Sequence, residues 1–217
     1  MEPSEARTPH YIAIEGVIGS GKTSLATLLA EKLSARLILE KPEENPYLVD
    51  FYRDPRRYAF QTQLFFLLMR YRQLLDFPQH DLFHKYLIAD YIFQKDKIFA
   101  HVNLERRDLI LYERVAHLLE RELPKPDLVI YLQNTTERHI ANIKKRKRPY
   151  EKNISADYIR VLNEAYKEFF FRYKETPLLV INTSEIDFVN NEEDLEDLLH
   201  HIMNPPLGVK YYVPKNI

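Results

Sequence analysis

Five short apolar runs punctuate the chain: Tyr11–Ile14, Arg36–Leu39, Tyr86–Ala89, Asp127–Leu132 and Leu178–Ile181. Each is too short for a stable helix and reads as a buried strand. The fourth, DLVIYL, is a continuous apolar stretch, which predicts burial on both faces of a sheet. Between the runs, apolar residues recur at helical spacing. Leu25, Leu28, Leu29 and Leu33 mark one helix, and Phe60, Leu64, Leu67, Leu68, Tyr71 and Leu75 mark a longer one over 59–75. Further helices are expected over most of 92–122, over 136–147, from Ser155 or Ala156 to Tyr173, and over 194–203, where Pro205 and Pro206 end the last one. Residues 43–58 form a short helical or looped piece broken by Pro46 and Pro55. Strand and helix in strict alternation predict an α/β fold in three layers, a five-stranded parallel sheet with helices on both faces.

The loop after the first run identifies the kind of α/β fold. The chain has four glycines, and Gly16, Gly19 and Gly21 all fall in GVIGSGKT, Gly16 to Thr23. This is the G-x-x-x-x-G-K-[ST] pattern of a phosphate-binding P-loop, in its required setting between a strand and a helix. The fold expectation is therefore of the P-loop NTP-hydrolase type. Backbone N–H groups of Gly16, Gly19, Ser20, Gly21, Lys22, Thr23 and Ser24 would surround the phosphates. Lys22 would reach the terminal ones, and the Thr23 hydroxyl would sit on Mg²⁺.

Other polar residues gain meaning from this loop. Glu40 closes the second strand, the end at which open α/β sheets bind ligands, so it points toward the phosphates; it also fits a charged residue opening a solvated loop. Asp90 closes the third strand and is a candidate Mg²⁺ partner. Gln63 and Arg70 share one helical face, suited to reading the flat edge of a base or to facing solvent. The dense basic run Lys144–Arg148 reads best as a lid that lays arginines on a transferring phosphate, ahead of nuclear targeting or RNA binding.

Composition narrows the setting. A chain of 217 residues suits one domain, here 11–217 with a lid near 142–151, after a loose polar tail over 1–10. A net charge of −1 provides no general basic surface for nucleic acid. No cysteine is present, no apolar run nears the roughly 20 residues needed to span a membrane, and the N-terminus has no apolar signal region. A cytoplasmic location is expected. The 12% aromatic content suits a pocket lined by flat rings.

The stretches EKPEENPYLVDFYRDPRRYAFQTQLFFLLMRYRQ, DYIFQKDKIFA and PDLVIYLQ, in this order after the P-loop, resemble the deoxynucleoside kinase family, most closely its bacterial branch, from about Tyr11 to about Phe188. The resemblance implies transfer of a phosphoryl group from ATP or GTP, with Mg²⁺, to a deoxynucleoside 5′-hydroxyl, by a homodimer. It implies Glu40 as general base and Tyr52 and Glu151 as partners of the sugar 3′-hydroxyl. It implies Gln63 on the base edge with Arg70, Asp96 on the base or on its arginine, Arg146 and Arg148 as lid arginines, and Asp187 and Phe188 near the adenine of ATP.

Three positions depart from the family pattern. Tyr91 follows Asp90 where many members carry an arginine, so that arginine's charge is missing; some deoxyguanosine kinase-like relatives share the Asp-Tyr pair, which tilts the expectation toward a purine, guanine over adenine. Asn142 replaces the first lid arginine, and Lys147 replaces a lid glycine, which implies a stiffer hinge. Two other readings stand beside the kinase of deoxynucleosides: a thymidylate-like nucleoside monophosphate kinase, and a kinase-fold subunit that binds nucleotide without turnover.

Overall fold

The computed structural model describes residues 8–76, 84–184, 186–205 and 207–212. Most of the expected tail, residues 1–7, lies outside them, as do Pro206 and residues 213–217. The strands are β1 (Tyr11–Glu15), β2 (Arg36–Ile38), β3 (Leu87–Ala89), β4 (Leu128–Gln133), β5 (Leu178–Asn182) and β6 (Val209–Tyr212). All pair in parallel, in the order β2-β3-β1-β4-β5-β6. The sheet thus has six strands where five were expected. Val209, Lys210 and Tyr211 are exposed and only Tyr212 is buried, so this edge strand shows no apolar run. Its place comes from backbone pairing with β5 and from the Tyr212 hydroxyl, which donates to Asp197.

Alternate residues of the central strands feed two cores, as burial on both faces requires. Ala13, Val129 and Tyr131 join Leu67, Tyr91, Ile98, Tyr166 and Phe170 on one side. Ile12, Ile14, Leu128 and Ile130 join Leu25, Leu29 and Leu198 on the other. The first core is closed by α3 (Pro55–Leu75), α4 (Lys95–Asn103), α5 (Arg106–Glu120) and α7 (Ala156–Arg172), and the second by α1 (Lys22–Leu33) and α8 (Glu192–Met203). The short α2 (Leu48–Arg53) and the start of α3 pack Leu48, Phe51, Ala59 and Phe66 into a third cluster.

Helix ends follow local chemistry. α3 begins at Pro55, ahead of the expected 59, because Pro suits the first turn and the Asp54 carboxylate accepts from Arg57 N–H at 3.3 Å. The segment 92–122 divides into two helices at an extended Leu104 and Glu105. Thr135 caps α6 (Thr136–Arg146), and Ser155 caps α7, each through its hydroxyl. Among the described residues no helix is long and apolar enough to cross a membrane. Strand order reverses beside β1, so the carboxyl ends of β1, β2 and β3 open onto one crevice.

Candidate active site at the carboxyl ends of the strands

The P-loop joins β1 to α1 with Gly19 and Gly21 at φ of +85° and +97°, a region that a side chain strains. Lys22 Nζ donates to the carbonyls of Gly16 at 2.7 Å and Val17 at 3.1 Å. Burial and the nearby charge of Lys95 lower the Lys22 pKa to about 8, against the pull of Glu15, Asp90 and Glu40. The Ser20 hydroxyl is buried without a partner, an orphan that a phosphate oxygen would satisfy. Ser24 is exposed on the first turn of α1, so only its backbone N–H suits the phosphate role.

A metal position fits the same place. Thr23 Oγ1 donates to Asp90 Oδ2 at 2.7 Å, and Asp90 Oδ1 accepts from Glu40 N–H at 2.8 Å. No cluster of three metal-binding side chains occurs among the described residues. One hydroxyl and one carboxylate suit Mg²⁺, which keeps waters and takes its remaining ligands from phosphates.

Next to the P-loop lies a cavity walled by Lys22, Thr23, Glu40, Gln63, Arg70 and Lys95 and, at its far end, by Tyr52, Arg146, Arg148 and Glu151. Glu40 therefore faces the crevice and not an open loop. Lys95 Nζ donates to its Oε2 at 2.5 Å, and Arg70 Nη2 donates to its Oε1. Burial alone would raise this carboxyl; Arg70 and Lys95 outweigh it and hold the group well below the usual carboxylate range. Arg70 also donates to Asp96, which is almost fully buried behind it and is not part of the cavity wall. Asp96 thus anchors the arginine. Gln63 and Arg70 are both buried, which removes the solvent-facing reading, and the Gln63 amide oxygen has no partner.

At the far end Glu151 is buried and forked by Arg146, with Nε donating to Oε2 at 2.7 Å and Nη2 to Oε1. Burial raises the Tyr52 hydroxyl well above its usual pKa, with Tyr158 and Glu151 adding to the effect. Arg148 Nη1 donates to the Tyr150 hydroxyl at 2.8 Å. Both arginines expected on a lid thus have partners a few residues along the chain, while Lys144 and Lys145 are exposed.

Asp187 and Phe188 do not join this cavity. Phe188 is buried, and its ring tip lies 3.4 Å from where a Cβ on Gly21 would stand. Asp187 is exposed and accepts from Asn190 N–H at 3.2 Å and Nδ2 at 2.8 Å. In place of the first lid arginine, Asn142 Nδ2 donates to the Gly19 carbonyl at 2.8 Å. Lys147 ends α6 at φ 52°, so it keeps the left-handed conformation that a glycine there would take freely.

Sequence reasoning passed over two residues, Lys95 in the cavity wall and Glu15 buried at the start of the P-loop. Glu15, fully buried, accepts from the N–H groups of Gly16 at 2.9 Å and Ile92 at 3.0 Å and from the Tyr166 hydroxyl at 3.3 Å. It ties the P-loop to the loop after β3. Lys95 lay unnoticed in YIFQKDKIFA, where Tyr91, Ile92, Ile98 and Phe99, three and four residues to either side of it, were the available signal.

Comparison with known proteins agrees with this geometry. The deoxynucleoside kinase family model matches residues 12–205. The chain is 38% identical to a deoxyguanosine kinase of Bacillus subtilis over 200 residues, covering 90% of this chain and 97% of that protein. It is 35% identical to a deoxyadenosine kinase of Dictyostelium discoideum over 193 residues, covering 84% of this chain and 75% of that protein. The structure of deoxyadenosine kinase from M. mycoides with bound dATP superposes with a TM-score of 0.77 at 30% identity, covering 88% of this chain and 97% of that one. With the P-loop, the Glu40 pocket and these matches together, the chain belongs to the deoxynucleoside kinase family and is a kinase of deoxynucleosides.

Proposed function

We propose that this chain moves the γ-phosphoryl group of ATP to the 5′-hydroxyl of a purine deoxynucleoside. The observation that carries this reading is Glu40, a carboxylate kept ionised by Arg70 and Lys95 in the same cavity as Lys22. ATP is the source of the phosphoryl group, and Thr23 and Asp90 would hold a Mg²⁺ that would neutralise charge on its phosphates. Lys22 and the P-loop N–H groups hold the phosphates. Glu40 accepts the hydroxyl proton, Tyr52 and Glu151 position the sugar 3′-hydroxyl, and Arg146 and Arg148 add lid charge once their present partners release them. ATP is taken as donor in keeping with the kinase family, with GTP as the alternative donor to be compared in the same assay.

The purine preference rests on the relatives, named as deoxyguanosine and deoxyadenosine kinases; the open amide oxygen of Gln63 suits an N–H donor on the base edge without choosing among bases. A homodimer is proposed through α3 and α5, which pack side by side. They leave Leu68, Leu75, Ile110, Leu111 and Leu118 exposed, a surface that a second copy would cover. A cytosolic location completes the proposal, in keeping with a chain free of cysteine.

The test is phosphoryl transfer from Mg·ATP to dG, dA, dC, thymidine and dTMP, compared by kcat/KM. A preference for dG or dA is expected. Transfer to dTMP alone would replace this reading with a monophosphate kinase, and transfer to none with ATP bound would replace it with a nucleotide-binding subunit.

A further inference from the structure

Lys95 occupies a position that three physical effects oppose. The residue is only 4% exposed. It stands in the first turn of α4, where the helix dipole disfavours a cation. It also lies close enough to Lys22 for its charge to disfavour protonation of that residue. Charge balance explains part of this: Arg70 is shared between Glu40 Oε1 and Asp96, so Lys95 offsets a second buried carboxylate through Glu40 Oε2. It does not explain why the ammonium lines the same cavity as Lys22, beside the phosphate loop, when a countercharge could stand behind the wall as Asp96 does.

We infer that Lys95 supplies the cation missing beside Asp90, and that it binds the phosphoryl group as it arrives on the 5′-oxygen. This rests on the kinase reading above. Before transfer, Lys95 is neutralised by Glu40. During transfer the 5′-O–H proton passes to Glu40, the 5′-oxygen forms a bond to the γ-phosphorus, and the bond from that phosphorus to the β-bridging oxygen breaks, leaving ADP. The Lys95 ammonium lines the same cavity as Lys22, so negative charge that gathers on the phosphoryl oxygens meets it there, and its attraction is stronger in the transition state and product than in the substrate complex. Tyr91 takes no part in this: its hydroxyl donates to Gln73 Oε1 at 2.7 Å and its ring is buried. The charge has moved from the end of β3 to the start of α4.

The test separates binding of a phosphate from binding of a nucleoside. Calorimetric Kd values are measured for the preferred deoxynucleoside and for its 5′-monophosphate, with kcat, in the wild type and in Lys95→Ala, Lys95→Gln and Lys95→Arg. Wild-type turnover and nucleoside binding check the kinase reading first and independently. The expected result is a monophosphate Kd weakened at least 10-fold in Lys95→Ala and Lys95→Gln, nucleoside Kd within about 3-fold, and kcat lowered at least 100-fold, with Lys95→Arg recovering most of both losses. Equal losses for nucleoside and monophosphate, or kcat within about 3-fold of wild type, would overturn the inference and leave Lys95 as a countercharge for Glu40 and Glu15. Should Lys95→Ala not fold, Lys95→Gln, which keeps a donor of similar length, decides between the same two outcomes.

Discussion

A methyl group added at Gly19 tests how tightly the lid helix and the phosphate loop are joined. The new Cβ would stand 2.6 Å from the His139 carbonyl oxygen and 3.0 Å from Ile143 Cγ1, both on α6. The first neighbour is helical backbone, which yields only if α6 moves. At φ +85° an alanine also carries about 1–2 kcal/mol of backbone strain. Overpacking of this kind costs about 1–3 kcal/mol more. Gly19→Ala should therefore lose about 2–5 kcal/mol of stability, a large share of the roughly 5–15 kcal/mol typical of a domain. For a chain of this length that corresponds to a fall in Tm of about 4–20 °C. Displacement of α6 would also disturb the bond from Asn142 to the Gly19 carbonyl, so ATP affinity should fall with stability. Calorimetric melting and ATP titration read both. A variant that melts within about 2 °C of wild type and binds ATP unchanged would show that α6 is free to give way, and would refute the contact argument.

Other consequences are equally open to measurement. Glu40→Gln should lower kcat by about 10²–10⁴-fold with nucleoside Kd nearly unchanged, and a stopped-flow burst equal to wild type would remove the general base assignment. Tyr52→Phe combined with Glu151→Gln should raise KM for a deoxynucleoside far more than for its 3′-deoxy analogue, and equal effects on both would detach these residues from the 3′-hydroxyl. His139 is fully buried, and burial, with the Lys22 charge, lowers its pKa to about 4 from an unfolded value near 6.5. The unfolded chain then binds the extra proton between these values. The stabilisation is complete above about pH 6.5 and is lost as the pH falls toward 4, by roughly 2 kcal/mol between pH 7 and pH 5. Urea unfolding at the two pH values should show this loss in the wild type and a smaller one in His139→Leu; equal losses in the two would mean that the imidazole titrates alike in the folded and unfolded chain.

Much of this was legible in the residues, for reasons that differ by element. The buried strands of a parallel sheet must be continuously apolar, so YIAI and DLVIYL could not be mistaken. A chain with four glycines places three in one loop only where backbone N–H groups must converge. β6 escaped because an edge strand buries one residue of four and draws its order from backbone pairing, which composition does not display. Lys95 and Glu15 escaped for another reason. A buried charge looks like any charged residue until its partners are known, and the partners of Lys95 are Glu40 and, electrostatically, Glu15 and Lys22, from distant parts of the chain. The pairing of Arg146 with Glu151 was hidden similarly, since the family roles placed one on phosphate and the other on sugar.

The left-handed Lys147 at the end of α6 bears on how often the lid changes state. A glycine would hold φ 52° at almost no cost, whereas a lysine there carries about 1 kcal/mol. If the lid rearranges so that residue 147 returns to a right-handed or extended conformation, that energy is released. The arrangement with Lys147 left-handed is then less populated than in a glycine-bearing lid by a factor of about 5. The exchange between states would tilt toward the rearranged form before any nucleotide arrives. The lysine would thus make the hinge a biased one, and its effect would show in the resting occupancy of the two lid states.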